Sequence, residues 1–148
     1  MIDAQKTERH TAIVDVHAVL ARDGQILLGC RQNTGFADGC YHLPAGHLEA
    51  GESVVEGLVR EVREELGVRL NPHTVRFAHV MHAASGAGRV AFFFVADDWV
   101  GTPINQEPNK CIEIAWFGWD DLPDPMVPYA RVALNHIRAG TSFSTFGW

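Results

Sequence analysis

Along the first third of the chain, apolar residues gather in short blocks separated by polar stretches rich in glycine. Thr11 to Ala21, rich in Val, Ile and Ala, predicts a strand. Asp23-Gly24 is a hairpin signal, and Gln25 to Arg31 is the predicted partner strand. Gln32 to Gly39, with two glycines, Asn33 and Asp38, predicts a loop. Tyr41 to Leu43 is a short extended piece stopped by Pro44, and Gly46 to Gly51 predicts a second loop. The period then changes. Ser53 with Glu56 three residues on makes a capping box. Val55, Leu58, Val59, Val62 and Leu66 share one helical face, and Gly67 stands where that helix ends. Val75 to Met81 and Arg89 to Ala96 predict strands around the turn Ala84 to Gly88, and Ile112 to Phe117 predicts one more. Pro128 to Ala139 has helical spacing and stops at Gly140. The tail TSFSTFGW is aromatic, and its pattern leaves open whether it packs on the body or meets a partner chain. Strands and helices interleave without regular alternation, so the expected class is α/β with a mixed sheet between helices, not a doubly wound parallel fold.

At 148 residues, 47% of them hydrophobic and 20% charged, the chain reads as one domain over 1–148 with a substantial core. A net charge of −6 argues against a protein that coats nucleic acid. The best apolar run, Val90 to Ala96, is strand-sized, so no membrane span is expected. The N-terminal MIDAQKTERH lacks the apolar core of a signal peptide. Cys30, Cys40 and Cys111 are odd in number and form no close pair, which points to a reducing cytoplasm rather than a disulfide framework. His79 and His82, three apart on a predicted strand, fall on opposite faces and argue against a zinc pair.

Charge adds one feature that pattern alone does not explain. Glu61, Glu64 and Glu65 crowd the last turns of the predicted helix, where unpaired carbonyls already carry partial negative charge. Each misplaced carboxylate costs about 0.3–1 kcal/mol there, and neighbouring like charges add to it. A solvated acidic face is the ordinary reading of a glutamate-rich helix. The alternative is a hard divalent ion held between oxygen ligands, with Mg²⁺ the natural candidate. Gly57 leaves open space on the same strip, at a cost of about 1 kcal/mol against Ala, which suggests close approach.

The segment Gly46 to Val68, GHLEAGESVVEGLVREVREELGV, resembles the Nudix box, G-x5-E-x7-R-E-U-x-E-E-x-G-U with U aliphatic. Gly46, Glu52, Arg60, Glu61, Val62, Glu64, Glu65, Gly67 and Val68 fill every fixed position. The resemblance implies an α/β/α sandwich with a mixed sheet, and hydrolysis within the pyrophosphate of a nucleoside diphosphate linked to another group. It implies Mg²⁺ or Mn²⁺ held by Glu61, Glu64 and Glu65, with a backbone carbonyl near Ala45 or Gly46. It further implies Glu64 or Glu61 as the base that takes a proton from water, with a loop glutamate the alternative that other members use, and Arg60 paired with Glu52 to hold the loop on the helix. For Arg60 an ordinary surface pair with Glu56 or Glu64 is the alternative. One departure stands out: Ala45 occupies a position where many relatives have glycine.

Substrate signals are thinner. Met81 to Gly86 lacks the Pro and the Tyr that mark many ADP-ribose and dinucleoside polyphosphate enzymes of the family, and the coenzyme A signature is missing. Glu107 to Cys111 (EPNKC), followed by Trp116 and WDDLP, resembles small family members that act on nucleoside triphosphates, with Glu107 a further metal or water-handling carboxylate; a polar loop is the alternative. Arg31 is a candidate phosphate contact or a surface arginine. Phe36 is a base-stacking candidate or a cap on the core. Asp15 and His17 alternate along the first strand and either read a base edge or form a satisfied buried pair. The expected activity is a metal-dependent nucleoside triphosphate pyrophosphohydrolase with a small-molecule nucleotide partner. Its rivals are the same chemistry on ADP-ribose or a nucleotide sugar, and a non-catalytic nucleotide sensor. The aromatic tail is a candidate homodimer contact.

Overall fold

The computed structural model describes residues 8–148. The first seven, which hold most of the stretch read for the lack of a leader, lie outside the described residues. Among the described residues the elements run β1 (Ile13–Arg22), β2 (Gln25–Arg31), β3 (Tyr41–His42), β4 (Ala45–His47), α1 (Val54–Leu66), β5 (Arg69–Leu70), β6 (Arg76–Ala83), β7 (Arg89–Ala96), β8 (Trp99–Val100), β9 (Cys111–Gly118), α2 (Pro128–Arg138) and β10 (Phe143–Phe146).

β1 is the hub. Every residue from Val16 to Leu20 is fully buried, because both faces of the strand are covered; that is why it reads as a run of apolar residues and not as an alternation. β7 pairs with it in parallel, from Ile13 opposite Arg89 to Leu20 opposite Ala96. β4 pairs with it antiparallel on the other side. The end of β1 turns into β2 through Asp23 and Gly24, both at positive φ, as the Asp-Gly signal requires. β6 lies antiparallel to β7, and β10 lies parallel to β6 at the edge. β2 carries β3 and β9, both antiparallel. The sheet is therefore mixed, as expected. β5 and β8 form a separate two-stranded piece.

The two faces of β1 serve two cores. Val16, Ala18 and Leu20 meet Leu58, Val62 and Leu66 of α1. Val19 belongs with Met81, Phe93 and the α2 residues Ala130, Ala133 and Leu134. The result is the expected α/β/α sandwich. α1 opens with the predicted capping box: Ser53 accepts from the Glu56 amide while the Glu56 carboxylate accepts from the Ser53 amide. It closes on Gly67 at φ 70°, whose amide donates to the Arg63 carbonyl. A Cβ on Gly57 would lie 2.8 Å from Leu48 and 3.0 Å from Glu52, so the close approach anticipated there is real.

One expectation changes, and one left open is filled in. Gly46 to Gly51 was expected to be loop throughout, but Ala45–His47 is drawn into the sheet as β4 by main-chain pairing with β1, which side-chain pattern does not record. The tail folds back as β10. Thr141 O and Ser144 Oγ each lie 2.7 Å from a ring nitrogen of His79, and the Trp148 indole donates to the His82 carbonyl. His79 and His82 thus serve different neighbours and make no pair. Among the described residues no helix is long and apolar enough to cross a membrane.

Candidate active site

The pairing of β4 with β1 brings Ala45 and Gly46 over the last turns of α1. The Ala45 amide donates to Glu65 Oε2 at 3.2 Å. A Cβ on Gly46 would fall 2.0 Å from the Glu61 carboxyl carbon, so only glycine leaves that carboxylate its room. The Glu61 side chain is 15% exposed and that of Glu64 is 49% exposed, so Glu64 is the member that faces solvent.

Arg60 organises this cluster. It donates to both oxygens of Glu52, at 2.7 and 3.0 Å, to the His47 carbonyl at 3.0 Å and to Glu61 Oε1 at 2.8 Å. Glu64 Oε2 lies farther off, at 3.4 Å. Glu52 also accepts from the Glu49 amide. The two-pronged Arg60 pair, then that amide, holds the Glu52 carboxyl down at about 2. Glu52 and Arg60 therefore clamp the loop to the helix, and the pair with Glu64 is secondary.

Glu61 and Glu65 are pushed the other way. Burial raises the Glu65 carboxyl well above the ordinary carboxylate range, and the charges of Glu61 and Glu107 add to it. Burial raises Glu61 as well; Arg60 opposes the shift, and Glu64 and Glu107 reinforce it. Glu107 reaches this group because the chain before it caps α1. The Ile104 amide donates to Leu66 O and the Gln106 amide to Glu65 O, satisfying two carbonyls left open at the helix end. Asn105 locks the turn: its Oδ1 accepts from the Glu107 amide and its Nδ2 donates to Cys111 O. Sequence reasoning named Glu107 but missed Asn105 and Gln106, whose only signal was their position just before it.

The donor set suits a hard divalent cation. All the side-chain donors are oxygens, and they raise one another's affinity for positive charge. Among the described residues no three His, Cys, Asp or Glu side chains are drawn into a closed cage, and Arg60 occupies one Glu61 oxygen, so the arrangement is an open cradle.

These carboxylates line a cleft of about 1100 Å³. Arg31 and Phe36 line it too, but Arg31 is partly committed. It donates from Nε to Phe36 O and from Nη2 to Thr34 Oγ1, and its guanidinium lies 5.5 Å from the Phe36 ring centroid. Phe36 is 55% exposed and does not cap the core. Their loop is stitched to the 108–110 segment by Gln32 and Asn33. Asp15 and His17 are buried but not paired with each other. Arg89 donates to both Asp15 oxygens, at 2.9 and 3.0 Å. His17 Nε2 lies 2.8 Å from the Tyr129 hydroxyl, which lies 3.0 Å from His42 Nε2. Arg89, His42 and Tyr129 were not foreseen; each comes to the site by tertiary folding alone.

Comparison with known proteins agrees with this geometry. The NUDIX domain model matches residues 9–137. The ADP-ribose pyrophosphatase of Methanocaldococcus jannaschii is 44% identical over 129 residues, covering 87% of this chain and 75% of that protein. The human 8-oxo-dGDP phosphatase NUDT18 is 33% identical, and there the match spans 68% of this chain and 31% of the longer protein. Among solved structures, the MutT NUDIX hydrolase from Burkholderia pseudomallei superposes with a TM-score of 0.77 at 34% identity, covering 84% of this chain and 97% of that one. With the box, the sandwich and the acidic cleft in one molecule, this chain belongs to the Nudix family of hydrolases, which cut pyrophosphate bonds.

Proposed function

We propose that this chain is a Mg²⁺- or Mn²⁺-dependent hydrolase of nucleoside triphosphates, releasing a nucleoside monophosphate and pyrophosphate. The observation that carries the reading is the group of carboxylates, Glu61, Glu64, Glu65 and Glu107, set in the wall of a cleft large enough for a nucleotide. Glu61, Glu64 and Glu65, with the carbonyls of Ala45 and Gly46, are the residues to hold the ion. When bound, such an ion neutralises phosphate oxygens and lowers the pKa of water. Glu64 is the first candidate to accept the proton of the attacking water, because its side chain is more exposed than that of Glu61 and less tightly engaged by Arg60. Glu61 is the second, with one oxygen held by Arg60. Arg60 and Glu52 keep the loop in place, and Gly67 ends the helix so that the chain can return through Glu107. Arg31 contacts phosphate through the donors its loop leaves free, and Phe36 stacks on the base. EPNKC supports the triphosphate reading. The enzyme works on a small-molecule partner in the cytoplasm.

A second reading is hydrolysis of ADP-ribose, favoured by the 44% identity to the M. jannaschii ADP-ribose pyrophosphatase. Product analysis separates the two. Triphosphates yield pyrophosphate, ADP-ribose yields AMP and ribose phosphate, and both reactions stop when the metal is chelated. Nucleotide binding without metal-dependent turnover on any substrate would instead favour a sensor.

A further inference from the structure

Arg89 stands at the start of β7, opposite Ile13 of β1, and lines the cleft with a side chain 33% exposed. Its contacts all run through one nitrogen. Nη1 donates to Asp15 Oδ1 at 3.0 Å and to Oδ2 at 2.9 Å, and it lies 3.3 Å from His47 Nε2. Asp15 is 5% exposed, so a buried carboxylate pins the guanidinium. The Nε–H and the neighbouring Nη2–H form the side edge of the group, and they make no hydrogen bond to the described residues. Neither nitrogen is buried. The buried side-chain nitrogens and oxygens without a partner, among the described residues, are His17 Nδ1, His42 Nδ1 and Trp99 Nε1. The side edge of Arg89 is therefore an intact fork of two donors that reaches solvent. Arg31 lines the same cleft but has spent this edge on its own loop: Nε donates to Phe36 O at 2.8 Å and Nη2 to Thr34 Oγ1 at 3.0 Å. Of the two arginines on the cleft wall, among the described residues, Arg89 is the one that keeps a fork free.

We infer that Arg89 is a specificity-determining residue: its free edge binds a pair of adjacent hydrogen-bond acceptors on the substrate, an inference that rests on the nucleotide reading above. Two parts of a nucleotide carry that chemistry. One is a base with neighbouring acceptors, O6 and N7 of guanine or O2 and N3 of cytosine; the other is a phosphate with its free oxygens. Asp15 cancels the charge of Arg89, so the edge adds hydrogen bonds without adding net charge, which suits the neutral base edge better. Arg31 and Lys110 line the cleft as well and make no salt bridge among the described residues, so phosphate charge finds its cations there. Lysine cannot stand in for such a fork, because its ammonium is a point charge without paired, fixed donors.

The test is Arg89→Lys, which keeps a cation beside Asp15 and removes the fork. Steady-state kinetics compare it with the wild type on GTP, CTP, ATP and UTP, and on the corresponding diphosphates. Adenine and uracil offer no neighbouring pair of acceptors on the base. The variant is expected to lose about tenfold in kcat/KM on GTP, CTP or both, mostly through KM, and less than about twofold on ATP and UTP. A loss of about tenfold through KM that is equal for all four bases, and smaller on the diphosphates, supports the fork and assigns it to a phosphate. Should Arg89→Lys fail to fold, Arg89→Gln with Asp15→Asn removes both charges together and is read in the same way. The inference is overturned if the variant matches the wild type on every substrate. It is overturned too if kcat falls alike on all of them with KM unmoved and the melting temperature lowered, the mark of an arginine that only pins Asp15. Absence of metal-dependent turnover of any nucleotide by the wild type is a separate result that removes the functional reading itself, and this inference with it.

Discussion

The two polar walls of the cleft answer burial in opposite ways. On the α2 side every charge has its partner: Asp15 is held by Arg89, and Tyr129 links two neutral histidines. On the α1 side the carboxylates outnumber their partners. Arg60 is largely spent on Glu52, and Glu61 and Glu65 are left raised by burial and by the carboxylates around them. The first wall has its charges balanced by the protein alone and gives shape. The second is electrostatically incomplete, which is the state of a site whose missing charge arrives with its ligands.

The contrast can be broken at several strengths. The largest effect belongs to the apolar support beneath the carboxylates. Leu58→Asp places a charge at a position 1% exposed and is expected to destabilise by about 4 kcal/mol or more, so little folded protein should be seen by circular dichroism. Glu65→Gln is expected to cut kcat by about two orders of magnitude or more, while the melting temperature without metal holds or rises because repulsion is relieved. A large loss of stability would make Glu65 a structural residue. Gly46→Val sets a side chain against the Glu61 carboxylate and is expected to weaken metal-dependent activity by about tenfold or more, with a smaller change in fold stability. The charge-balanced wall has an acid weakness of its own. His17 is held down at about 3 against an ordinary 6.5, so between those values the unfolded chain takes up a proton that the folded one refuses. Stability is expected to fall as pH drops through that window, by up to about 1.4 kcal/mol per pH unit, and denaturant titrations at pH 7 and pH 5 measure it. The smallest effect is Glu52→Gln. The depressed Glu52 carboxyl contributes stability above 4.5 that is lost as pH falls toward 2, and the variant is expected to lack that loss.

The two walls were also unequally readable from sequence. The α1 wall is local: helical spacing alone placed Glu61, Glu64 and Glu65 on one strip, and the resemblance to the Nudix box paired Arg60 with the nearby Glu52. The helix, its cap and its Gly67 stop were legible for the same reason. The α2 wall joins β1, β3, β7 and the start of α2, and residues more than a hundred positions apart meet there. Asp15 and His17 could be singled out, but their partners could not, because no period links them. β4 and β10 were hidden for a related reason: a short edge strand is made by main-chain hydrogen bonds to a neighbour, and that leaves little mark on side-chain choice.

The amides of Ile104 and Gln106 close the end of α1 in the same turn that delivers Glu107. Helix length and acid placement are therefore one variable. A residue inserted or deleted between Gly101 and Glu107 would fray the helix and withdraw an acid in a single event, and through the stitches at Gln32 and Asn33 any shift farther along would disturb the loop that carries Phe36. This stretch is expected to tolerate swaps of side chain far better than changes of length.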